Sequence, residues 1–394
     1  MKIVTLGLSP YLCLSNSKIH SLILKNLYLS RQHEVACIAL GHDTSYFLPK
    51  KDSNGDDRFY FSFDNHDIPL IPLNKKEMSI ALYEVLKVFK PDILLTIGDF
   101  NDYLYMKAVK MFLDYPMKWL SILSNFSYPI NEKNIEILEE MDAIVCTNKK
   151  TFDLIKKDQK SLSHINCRTF DIIPEKTERL SLITCGKNTL GDNLPMLMQV
   201  CAELKPNLSL YMHTNIYNTG DYDLVLIKER FDPNDEFIRF PEKYISLEDS
   251  FSDAEYSEIL AKSNIFINIS TSSATGISVF DAISCGCLPL MSDVGCHRDI
   301  AEMIIGISSE FVKEDFLVPT IELMVSGEVY INICKPDLLK EKIINLQNKI
   351  KKGYKPFYQE FQERYNRKNF IKEVMRMIEV VKTTVNSTIN VDTV

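Results

Sequence analysis

A chain of 394 residues, 45% hydrophobic and 25% charged, is long enough for two domains with full cores and has the composition of a globular protein. No apolar run reaches the length of a membrane span, and the opening Met1-Lys2-Ile3-Val4-Thr5-Leu6 reads as a first strand, not a secretory leader. A net charge of −8 disfavours nucleic acid as the main partner, and ten scattered cysteines without a CxxC pair fit reduced thiols in a cytoplasmic protein.

The first half alternates short apolar runs with amphipathic patterns. Lys2–Leu6, Val35–Leu40, Asp92–Ile97, Trp119–Leu123 and Ala143–Thr147 suit buried strands of a parallel sheet. Helices are predicted near Ser17–Leu29, Lys76–Phe89, Asp102–Phe112 and Glu132–Glu140. This is the pattern of a doubly wound α/β domain. The first turn, Gly7-Leu8-Ser9-Pro10, lacks GxGxxG and so disfavours nicotinamide binding.

Ser161–Thr177, with Pro174 and mixed polarity, reads as a link, after which the alternation restarts. The second set of strands is Ser181–Cys185, Ser209–His213, Phe237–Phe240, Ile265–Ile269 and Leu288–Met291. Helices fit Leu194–Leu204, Asp253–Lys262, Ile277–Ser284, Asp299–Ile305 and Lys335–Lys351, with one long terminal helix over Phe357–Val381. From Lys335 to Lys382 thirteen Lys and Arg face six Asp and Glu, a local +7 that leaves −15 on the rest. A solvated basic helix face explains this better than a phosphate or membrane contact, although peripheral membrane attachment stays open.

The run from Ser273 to Leu290 carries the most chemistry. A buried strand ends at Ser270, a loop of small hydroxyl residues follows, and a helix begins near Ile277 after Gly276. Such a junction lets an anion approach the backbone and the unpaired N–H groups of the first helical turn. Gly276-Ile277-Ser278-Val279-Phe280-Asp281-Ala282, Cys285-Gly286 and Ser292-Asp293-Val294-Gly295 also resemble the signature of retaining GT-B glycosyltransferases of the glycogen-synthase-like and sucrose-synthase-like group. That signature has two glutamates eight positions apart, which fall here on Ser273 and Asp281.

The resemblance implies two Rossmann-like domains around a cleft. Residues 1–170 would form the acceptor domain and 178–355 the nucleotide-sugar domain. A helix over 356–382 would pack back on the first domain, with a tail over 383–394. In the family, a Gly-Arg after the second domain's first strand and a Lys further on hold the donor diphosphate. Gly186-Lys187 matches the first with a point charge in place of a guanidinium fork, and the second cation falls at Asp192. The resemblance thus assigns the donor to Gly186, Lys187, Ser273, Thr275, Gly276, Ile277, Ser278 and Asp281, with Ser273 at the transferred sugar and Asp281 at the ribose.

No protein nucleophile is implied, and no metal or other cofactor. Asp99, beyond a strand end of the first domain, either orients an acceptor hydroxyl or caps the next helix, and His42 is a lesser candidate of the same kind. Asp221-Tyr222-Asp223 has the form of a DxD metal motif, but acids at a helix start read first as caps. The expectation is a metal-independent, retaining glycosyltransferase using a UDP- or GDP-sugar and a glycan or other hydroxyl acceptor. Two alternatives are a viral-type enzyme of the same fold acting on DNA bases and a non-catalytic binding module supported by Ser273 and Asp192.

Overall fold

The computed structural model describes all residues except 13–14, 43, 45–47, 74–77, 100–102, 125–131, 156, 164–171, 177–178, 215, 217–220, 244–250, 274, 327–328 and 390–394. Contacts divide the chain into two compact units, Met1–His164 with Lys368–Val394, and Ile165–Arg367.

In the first unit the chain runs β1 (Lys2–Leu8), α1 (Ser15–Leu29), β2 (Glu34–Leu40), β3 (Lys50–Lys51), β4 (Asp57–Phe63), β5 (His66–Leu73), α2 (Met78–Phe89), β6 (Ile93–Gly98), α3 (Met106–Phe112), β7 (Lys118–Leu123), α4 (Glu132–Glu140), β8 (Ala143–Cys146), α5 (Lys149–Leu154) and β9 (Lys160–Leu162). These strands make one sheet in the order β3-β4-β5-β2-β1-β6-β7-β8-β9. From β5 to β9 every neighbouring pair is parallel, whereas β3 and β4 run antiparallel at one edge. The apolar runs are buried on both faces, as a doubly wound sheet requires. Trp119, at the centre of that core, donates its indole N–H to Thr96 Oγ1 at 2.9 Å, so its one polar atom is satisfied.

The second unit restarts with β10 (Leu180–Cys185), α6 (Leu194–Leu204), β11 (Leu208–His213), α7 (Leu224–Phe231), β12 (Ile238–Arg239), α8 (Asp253–Ala261), β13 (Ile265–Asn268), α9 (Ile277–Ser284), β14 (Leu288–Ser292), α10 (His297–Ile305), α11 (Lys313–Phe316), β15 (Leu317–Val318), β16 (Thr320–Ser326), β17 (Val329–Cys334), α12 (Pro336–Lys352) and α13 (Tyr358–Arg364); α14 (Arg367–Ile389) then follows. The main sheet is parallel throughout, ordered β12-β11-β10-β13-β14-β15, while β16 and β17 form a separate antiparallel pair. Leu182, Leu197, Leu210, Phe266, Phe280 and Ile300 belong to its buried core.

Three expectations are corrected. The pairs β4–β5 and β16–β17 replace stretches with no predicted element. The single terminal helix is two helices, broken at Tyr365 and Asn366, with Tyr365 at φ −116° and ψ 65°. The break follows the packing: Phe361 stacks near Phe280 of α9 at 5.6 Å and Gln362 donates to the Ser284 carbonyl at 2.6 Å, whereas α14 belongs with the first unit. The expected link begins with a strand, β9, and its residues 164–171 and 177 lie outside the described residues, as do the boundary residues 170 and 178.

Candidate functional site

Chain order in the second sheet selects the place to look. From β10 the chain winds one way through β11 and β12, then returns to β13 on the other side and continues to β14 and β15. The order therefore reverses between β10 and β13, and ligands of open α/β sheets bind beyond the strand ends at such a point. The loops after β10, β13 and β14 meet there.

The loop after β10 runs through Gly186 and Lys187 into a short 3₁₀ turn, Leu190–Asp192. Gly186 and Lys187 are exposed, and among the described residues no acid lies within ion-pair distance of Lys187. Cross-bonds hold the turn. Leu190 N donates to Asp221 Oδ2 at 2.8 Å, Asp221 N to the Asn188 carbonyl at 2.9 Å, and Asn188 Nδ2 to the Tyr222 carbonyl at 2.7 Å. Asp223 caps α7 by accepting from Leu226 N at 3.0 Å. Both acids of the DxD-like triplet are thus occupied by backbone amides, and among the described residues no His, Cys, Asp and Glu group has the arrangement of a metal site.

Two bonds join this loop to the one after β13. Thr271 N donates to the Gly191 carbonyl at 2.7 Å, and Asn193 Nδ2, at the start of α6, donates to the Ile269 carbonyl at 3.1 Å. The second loop leads to Gly276, which stands at the N-cap of α9 with φ 63° and ψ 22°. Val279 N and Phe280 N both point to the Gly276 carbonyl, at 2.9 and 3.0 Å. Among the described residues the amides of Ile277 and Ser278 have no carbonyl partner, as expected for a first helical turn.

The third loop backs the second. Cys296 N donates to the Ser273 carbonyl at 3.1 Å, and Ser273 Oγ lies 3.3 Å from Cys296 Sγ. Gly295, at φ +48°, is forced: a Cβ there would lie 1.9 Å from the Ser273 carbonyl oxygen. Burial pushes the Cys296 thiol up to about 12, so it is a packing group and not a nucleophile.

Gly186, Lys187, Ser273, Gly276, Ile277 and Ser278 therefore share one end of one sheet, with Thr275 buried between Ser273 and Gly276. Asp281 is only 1% exposed, so it is not a solvated residue of the helix surface. The junction was expected to leave room at Gly276 for an anion, and that expectation is corrected. A Cβ on Gly276 would meet Ile300 Cδ1 at 2.5 Å and Cys296 Sγ at 3.1 Å, so it is protein, not ligand space, that a side chain would fill. Sequence reasoning missed Thr271, whose contribution is its backbone amide, and the environment of Asp192. That carboxylate accepts from Thr189 Oγ1 at 2.6 Å, and burial raises its pKa against the opposing effects of Thr189 and Lys187.

Asp99 belongs to the other unit, beyond β6. It is 8% exposed; α3 starts at Met106 with Tyr105 at its N-cap, and residues 100–102, where a turn capped by Asp99 would begin, lie outside the described residues. Ser9 and His42, at the neighbouring strand ends of β1 and β2, are bonded through Ser9 Oγ and His42 Nδ1 at 3.0 Å.

No family model matches this sequence, and no curated protein matches it. Solved structures do. Sucrose-phosphate synthase from Thermosynechococcus elongatus superposes with a TM-score of 0.67 at 12% identity, over 98% of this chain and 100% of that one. The chain has the GT-B fold. Anabaena HepE in complex with UDP and glucose matches this fold with a TM-score of 0.66 at 11% identity, covering 96% of this chain and 99% of its own. The catalytic domain of starch synthase IV from Arabidopsis thaliana, bound to ADP and acarbose, matches with 0.64 at 11%, covering 97% and 99%. Among the described residues no helix of this GT-B chain is long and apolar enough to cross a membrane.

Proposed function

We propose that this protein is a glycosyltransferase that moves a sugar from a UDP- or GDP-sugar to an acceptor hydroxyl with retention of configuration and without a metal ion. The observation that carries the reading is the junction at the β10–β13 reversal. There an exposed lysine, Lys187, stands beside two loops pinned by the Thr271–Gly191 bond and the open amides of α9. Anabaena HepE is in complex with UDP and glucose and starch synthase IV is bound to ADP and acarbose, which agrees with a nucleotide ligand here.

In this reading the diphosphate rests on Gly186, Lys187 and the amides of Ile277 and Ser278. Thr275 and Gly276 shape the loop, Asp281 holds the ribose, and Ser273 contacts the transferred sugar. Asp99 orients the acceptor hydroxyl. The departing diphosphate carries the developing charge, and the leaving phosphate helps to deprotonate the acceptor, so catalysis is largely positioning and charge stabilisation.

A thermal-shift screen with nucleotides and nucleotide sugars tests the first half, because a ligand of the native state raises apparent stability by mass action. Absence of any shift from UDP, GDP, ADP and their sugars would sink it. The anomeric configuration of the product, read by proton NMR, tests retention.

A further inference from the structure

Resting on that reading, we propose that Asp192 couples donor binding to proton uptake: its carboxyl takes one proton from solvent when a nucleotide-sugar diphosphate seats on Gly186 and Lys187. The geometry places the acid in the cradle itself. Asp192 closes the 3₁₀ turn after β10, and its Oδ1 lies 3.4 Å from where a Cβ of Gly186 would stand. Its other oxygen, Oδ2, is held by Thr189 Oγ1 at 2.6 Å, which fixes the carboxyl plane and leaves Oδ1 toward Gly186.

Among the described residues, the charged and titratable groups acting on this site come from two segments. Lys187 comes from the same loop and favours the carboxylate. From the segment before α7, the Tyr222 phenol is raised first by burial and then by Asp221 and Asp192, and Asp221 is occupied by Leu190 N. Among the described residues, the loop after β13 brings the Thr271 hydroxyl against Gly191. A diphosphate carrying two negative charges would share Lys187 with Asp192 and repel the carboxylate. Protonation at Oδ1 removes that repulsion and turns the group into a donor toward a phosphate oxygen, consistent with the raised pKa of this half-desolvated acid. The site thereby selects its ligand by charge as well as by shape.

Calorimetry of the full chain with UDP-glucose decides the matter, since that diphosphate is fully ionised and does not itself titrate near neutrality. The binding heat, measured in phosphate and in Tris at the same pH, should differ by the buffers' ionisation heats in the sense of proton uptake. The dissociation constant should rise by up to about tenfold per pH unit on the alkaline side. Asp192→Asn should abolish both the buffer dependence and the slope and bind more tightly than wild type at high pH. Binding without buffer dependence, a slope that survives in Asp192→Asn, or binding that instead requires a divalent cation would each overturn this inference while leaving the donor site standing. No binding heat from UDP-glucose, GDP-mannose or ADP-glucose would overturn the donor reading and this one together.

Discussion

Gly276 backs onto Ile300: a Cβ built on the glycine would lie 2.5 Å from the isoleucine's Cδ1. The backbone there is left-handed, at φ +63°, so a β-branched residue would be strained as well as overpacked. Gly276→Val is therefore expected to cost about 3 kcal/mol, a fall in melting temperature on the order of 10 °C. Any loss of donor binding should follow that instability. A Gly276→Val protein with wild-type melting behaviour would contradict the packing described here.

Lys187 is exposed and has no acid within ion-pair distance among the described residues, so its removal should leave the fold intact. A charge-assisted contact to a phosphate is worth roughly 1.5–3 kcal/mol. Lys187→Ala should accordingly weaken UDP-glucose binding by roughly 10- to 150-fold at unchanged melting temperature. Unaltered affinity in calorimetry would remove the residue from the site.

Asp221 and Asp223 accept backbone amides at the turn and at the start of α7. Alanine at either position should lower stability by about 1 kcal/mol, through the lost cap at Asp223 and the lost turn bond at Asp221. Sugar transfer should persist in EDTA for wild type and both variants. Activity abolished by EDTA and restored by manganese would instead return these acids to a metal role.

Among the described residues, each unit carries one fully buried histidine, His20 in the first and His297 in the second. Burial depresses both to about 4 from 6.5. His297 Nδ1 sits 2.8 Å from the Ser292 carbonyl, while Nε2 has no partner among the described residues. Between 6.5 and about 4 the unfolded chain binds a proton that the folded one refuses, so stability falls as pH falls through that window. Moving from pH 7 to pH 5 should cost about 2 kcal/mol per histidine, seen as a lower denaturant midpoint. His297→Gln should flatten the contribution of the second unit; an unchanged slope would refute the assignment.

The parts legible in the sequence were those with one strong local signal. Leu194–Leu204, Ile277–Ser284 and Glu132–Glu140 have the helix limits their apolar spacing predicts. The β4–β5 pair was missed although Phe59, Phe61 and Phe63 alternate, because Pro69 and Pro72 speak against a strand in the partner. Its turn has Asp64 and Asn65 both at positive φ, the demand of a tight hairpin. Tertiary facts were illegible for a different reason. Gly276 meets Ile300 across 24 positions of chain, and neither that contact nor the burial of Asp281 is encoded by a local pattern; the seat of Asp192 is local, made with Gly186 and Thr189, but depends on the 3₁₀ turn that joins them. The break between α13 and α14 belongs to the same class: periodicity runs on through Tyr365, but the two halves pack in different units.

That break has a consequence for synthesis. The second unit is one uninterrupted run, whereas the first needs α14, whose Phe370, Val374, Ile378 and Val381 are buried. A ribosome therefore delivers every residue of the later-encoded unit before it delivers the last piece of the earlier one. Residues 1–164 wait without the buried apolar side chains of α14 for as long as the ribosome takes to reach them. A stall or truncation upstream of Arg367 would leave the first unit without that helix.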